Sequence, residues 1–93
     1  MISERLARFL KTWCDVDTGP EEAAEMLGSG SGAYYADWLE GELLAAARAD
    51  ELTPKSLGQL TNRWFAAHSD VDAWLQQVWP LWFSRPYPGM RPG

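Results

Sequence analysis

The stretch DAWLQQVWPLWF, Asp72 to Phe83, packs three tryptophans and a phenylalanine into twelve residues, with a proline among them. On a helix advancing about 100° per residue, Val71, Trp74, Leu75, Val78, Trp79 and Trp82 share one side, while Asp72, Ala73, Gln76 and Gln77 take the other. A stripe of this kind is the core face of an amphipathic helix, the first of several that make the chain read as an all-α protein. Ser69 with Asp72 has capping-box spacing and places the start of this last helix. Pro80 removes a backbone donor and crowds the preceding turn, so the helix is expected to kink or end at Trp79. Leu81, Trp82 and Phe83 would then form a bent apolar hook, closing over the bundle or standing partly exposed.

The same reading extends upstream. Thr53 as cap and Pro54 at the first helical position open a helix that sets Leu57, Leu60, Thr61, Trp64 and Phe65 on one stripe and stops near Ala67. From Ala33 to about Ala49 the chain is rich in strong helix formers, which predicts the longest helix; Gly41 either weakens it or admits a close neighbour. Pro20 to Leu27 reads as a short acidic helix, with Thr18 and Glu21 at capping-box spacing and with Glu21 and Glu22 complementing the helix dipole. Ser3 caps a first helix bearing Leu6, Phe9, Leu10 and Trp13 on one face and Arg5, Arg8 and Lys11 on another. GSGSG, Gly28 to Gly32, reads as a flexible turn. The expected architecture is a compact bundle of about five helices over residues 1–83, with a mobile Pro/Gly-rich tail, 84–93, that cannot pack a core.

Ninety-three residues suit one thin-cored domain, in which twelve aromatic side chains carry much of the burial. The single cysteine, Cys14, rules out an internal disulfide and fits a reducing cytoplasm. Charges at Glu4, Arg5, Arg8 and Lys11 interrupt the first segment, so it does not read as a signal peptide, and no apolar run has membrane-spanning length.

Catalytic and cofactor chemistry find little footing. His68, the only histidine, falls between expected helices and has no signalled nucleophile beside it. Cys14 adjoins Asp15, whose negative charge disfavours a thiolate. CDVD lacks the glycine turn and distal glutamate of a calcium loop and the second Cys/His pair of a zinc site. The eight Lys and Arg are scattered and make no basic stripe for nucleic acid. We therefore expect no enzyme activity, no metal, no cofactor, and no direct contact with nucleic acid or membrane.

The net charge of −5 is unevenly distributed. From Thr12 to Ala47 there are eight acids and no Lys or Arg: Asp15, Asp17, Glu21, Glu22, Glu25, Asp37, Glu40 and Glu42. A block of one sign attracts basic proteins, although it also serves as a solubilising face. Tyr34, Trp38 and Glu42, spaced by four, line one flank of the expected long helix. They read either as two rings and an acid anchoring a partner or as a second layer of core packing. With the eight acids, Tyr34 and Trp38 complete the candidate partner-binding set.

At FLKTWCDVDTGPEEAAEML, Phe9 to Leu27, followed later by NRWFAAHSDVDAWLQQVW, Asn62 to Trp79, the chain resembles the small acidic all-helical immunity proteins of contact-dependent growth inhibition and related polymorphic toxin systems. The residues carrying the likeness are Phe9, Trp13, Asp15, Asp17, Pro20, Glu21, Glu22 and Ala23. It implies a protein that binds and neutralises a cognate bacterial toxin domain; the acidic block adds the expectation of a basic binding surface on that domain, and we expect the chain to be monomeric when free. Two other functions fit the composition: an acidic phosphate-mimicking inhibitor of a nucleic-acid-binding protein, and a helical adaptor that docks through Leu81, Trp82 and Phe83.

Overall fold

In the computed structural model, which describes residues 2–88, the chain is all-helical. The described residues form six α-helices: α1 (Glu4–Trp13), α2 (Pro20–Leu27), α3 (Ala33–Ala36), α4 (Leu39–Arg48), α5 (Pro54–Thr61) and α6 (His68–Phe83), with a 3₁₀ turn at Gly30–Gly32 leading into α3. The apolar face of α6 organises the core. Val71, Trp74, Leu75, Val78, Trp79 and Trp82 are all buried, as the periodicity predicts. They meet Leu6, Phe9 and Leu10 of α1, Ala23 and Met26 of α2, Leu39, Leu43 and Ala46 of α4, and Leu57 of α5 in one cluster. Edge-to-face rings lock its centre, with Phe9 5.5 Å from Trp82 and Trp74 5.8 Å from Trp82 between centroids.

Two capping expectations hold. The Leu6 amide donates to Ser3 Oγ at 3.2 Å, and Thr53 and Ser56 cap each other across the first turn of α5. Two others are corrected: α2 is capped by Gly19 rather than Thr18, and α6 starts at His68 after Ala67, without a side-chain cap from Ser69. Near the start of α6, Asp70 accepts instead from the Ala66 amide at 3.0 Å.

α6 also continues past Trp79 to Phe83, with Pro80 inside it. Pro80 and Gln76, whose carbonyl loses its helical donor, both lie on the exposed side, where water can take the lost bond. The proposed hook is therefore part of a helix. Its Trp82 is buried, Phe83 is half-buried and Leu81 faces solvent.

The segment expected to be the longest helix is broken. Trp38 leaves helical geometry at φ −138°, separating α3 from α4, and α6 is the longest element instead. Favourable propensity yields here to packing. The break lets Tyr34, Tyr35 and Trp38 form a mutual ring cluster, with Tyr35 also set 5.3 Å from Phe9.

Within GSGSG, Gly28, Ser29 and Gly30 are exposed and Gly32 is buried. A side chain at Gly32 would collide with the Leu27 backbone, so this position requires glycine for close approach. α5 ends at Thr61, earlier than expected, because Asn62 adopts the left-handed conformation at φ 56°. The tail is only partly as expected. Tyr87 is buried, 4.9 Å from the Trp79 ring, whereas residues 89–93 lie outside the described set.

Candidate functional site

The acids of the single-sign block meet two different local environments. On α2 the buried residues are Ala23 and Met26, and the helical advance of about 100° per residue puts Glu21, Glu22 and Glu25 together on the opposite, exposed face. Asp17, just before α2, and Asp37, at the end of α3, are exposed as well. Among the described residues, none of these five carboxylates enters an ion pair. Pro20 at the first position and two acids in the first turn account for this local geometry: the helix starts where its positive end is complemented by charge.

On α4 the acids are taken up internally. Glu42 accepts from Ser3 Oγ and pairs with the Arg5 guanidinium, which lies 4.5 Å above the Trp38 ring. These bonds, that from Ser3 foremost, hold the Glu42 carboxyl below its ordinary range. Glu40 accepts the Trp79 indole N–H at 3.0 Å and pairs with Arg85. Asp15 accepts from the Asp17 amide and from Asn62 Nδ2, and these two bonds lower its pKa. Arg63 donates to the carbonyls of Cys14, Asp15 and Thr18, fastening the loop before α2 to the turn after α5.

The proposed anchor of Tyr34, Trp38 and Glu42 is thus assembled but altered. Tyr34 and Trp38 rings sit 5.7 Å apart, and Tyr34 is 59% exposed. Glu42, however, already holds an internal arginine, which places it with the packing layer rather than with an open anchor. The Trp38 indole N–H is buried without a hydrogen-bond partner among the described residues.

One exposed residue runs against the sequence reading. Trp64, expected on the buried stripe of α5, lies beyond that helix and is 85% exposed. Its loop is held on both sides: Asn62 and Arg63 bond back to the Asp15 region, and the Arg63 carbonyl lies against Gly58, where an added Cβ would sit 2.8 Å from it. Phe65 packs 6.2 Å from Trp74. The signal that could have revealed it is Asn62, a residue that favours left-handed helix ends.

Cys14 is buried and its thiol is pushed up to about 12, chiefly by burial, with Arg63 opposing. Burial, rather than the neighbouring Asp15, is the main effect disfavouring the thiolate. His68 opens α6 on the exposed surface. Among the described residues no cluster of three or more His, Cys, Asp or Glu could hold a metal ion, and no helix is long and apolar enough to cross a membrane. Compared with family models, curated proteins and solved structures, the chain matches none.

Proposed function

We propose that this chain is a non-enzymatic immunity protein that neutralises a cognate bacterial toxin domain by laying the acidic face of α2 on a basic surface of that domain. The observation carrying this reading is the set Asp17, Glu21, Glu22, Glu25 and Asp37, exposed and without ion pairs among the described residues. Like charges gathered on one short helix repel one another, which offsets what Glu21 and Glu22 contribute at its positive end, so the arrangement adds little to folding. It does create a field that steers a cationic partner into contact. α3, bearing the exposed Tyr34, packs beside α2 and supplies an aromatic surface near the charges. A standard interface takes about 800 Å² from each partner, roughly one-seventh of this protein's 5605 Å².

The test is co-expression with the product of the adjacent upstream reading frame, followed by calorimetric titration at rising salt. We expect a complex whose affinity falls steeply with salt and is lost in the Glu21→Gln, Glu22→Gln, Glu25→Gln triple variant. Affinity indifferent to both would remove the acidic face from the reading. Binding to a nucleic-acid-binding protein with no genetically linked toxin would favour the phosphate-mimicking alternative.

A further inference from the structure

A pocket of about 240 Å³ lies where α3, α4 and the end of α6 meet, walled by Leu27, Tyr35, Trp82 and Phe83, with Glu40 and Arg85 also lining it. The two oxygens of Glu40 have separate tasks. Oε2 is committed inward to the Trp79 indole, whereas Oε1 receives the Arg85 guanidinium. Arg85 belongs to the non-helical segment after Ser84, and its side chain is 63% exposed, against 26% for Glu40. A carboxylate oxygen beside three aromatic rings is the chemistry that receives a guanidinium, through a charge-assisted bond and stacking on ring faces. The chain's own arginine shows that this oxygen accepts one. An ion pair this exposed adds little to stability, so Arg85 can be exchanged at small cost.

We propose that the pocket is an arginine-accepting subsite: an arginine of the protein partner displaces Arg85 from Glu40 and lays its stem along Tyr35, Trp82 and Phe83. This rests on the reading that the partner is a basic protein and adds a second, specific contact to the α2 face. Arg85 acts as an internal stand-in that keeps Glu40 paired until the partner arrives.

The test uses the full chain and Nα-acetyl-arginine amide, followed through the indole N–H signals of Trp79 and Trp82 in two-dimensional NMR. Arg85→Ala, an exposed change, should bind the probe about threefold more tightly than the unaltered chain, the scale of releasing one surface pair. Glu40→Gln keeps an acceptor for Trp79 but removes the charge, and should weaken binding about tenfold. The uncharged citrulline analogue should leave the indole signals in place. Equal binding by Arg85→Ala and the unaltered chain, or equal response to arginine and citrulline, overturns the subsite. Because no toxin is present, that failure leaves the α2 reading standing, and loss of the α2 reading leaves the probe result unchanged.

Discussion

Glu21, Glu22 and Glu25 of α2 and Glu40 and Glu42 of α4 come from one stretch without Lys or Arg, yet the fold treats them oppositely. The α2 group points away from Ala23 and Met26 into solvent, without ion pairs among the described residues. The α4 pair is drawn inward by Arg5, Ser3, Arg85 and the Trp79 indole. Net charge along a sequence therefore does not measure the charge a partner meets. What decides is whether a neighbouring segment presents a donor.

The comparison is sharpest where α4 touches the core. Trp79 is fully buried and donates to Glu40, so Trp79→Ala should cost about 3–5 kcal/mol in urea denaturation, a large part of the stability of a domain this size. The same change at Trp64, 85% exposed, should stay within about 0.5 kcal/mol. If both cost alike, the assignment of buried and presented aromatics is wrong. Glu40→Ala removes the acceptor of the buried Trp79 indole and should cost about 1–3 kcal/mol by the same measurement. A neutral result would make Glu40 an ordinary surface acid and erase the contrast with α2.

Acid titration probes the internal group in another way. Asp15 and Glu42 have folded pKa values lowered by their hydrogen bonds. Their contribution is present above the unfolded carboxylate values near about 4 and is lost as pH falls through the lowered folded values. In Asp15→Asn and Glu42→Gln, the loss of stability between about pH 5 and pH 2 should be shallower. Unchanged slopes would show that these bonds carry no linkage. The smallest effect is expected at Gly41, which is exposed in the first turn of α4, with nothing near an added Cβ. Gly41→Ala should stabilise by about 0.5 kcal/mol, seen as a raised melting temperature, and a loss instead would mean that a neighbour closes on this turn.

Much of the fold was legible in the sequence because period and capping are local. The α6 stripe, the Ser3 and Thr53 caps and the Pro20 and Pro54 helix starts all follow from residue types a few positions apart. The misses have long-range causes. The break at Trp38 depends on rings from Tyr34 and Tyr35 and on Arg5, more than thirty residues earlier. Pro80 stays within α6 because its face is solvated, which spacing alone does not reveal. Of the candidate site, the acids were legible as a block, but their division into paired and presented groups was not. It depends on which distant segments supply Arg5, Asn62 and Arg85. Trp64 was misplaced for a nearer reason: Asn62 ends α5 two residues before it.

The division of the acids is tested most directly by urea denaturation at neutral pH of two variants, Glu21→Gln, Glu22→Gln, Glu25→Gln against Glu40→Ala, Glu42→Ala, the second pair removing the acceptors of Trp79 and Ser3. The α2 triple variant should move the midpoint little, since relief of repulsion among its carboxylates offsets the lost complement to the helix dipole, while the α4 double variant lowers it. A midpoint that falls as far in the α2 variant as in the α4 variant would mean that both groups hold the fold together, and would contradict the claim that α2 presents its charges to a partner.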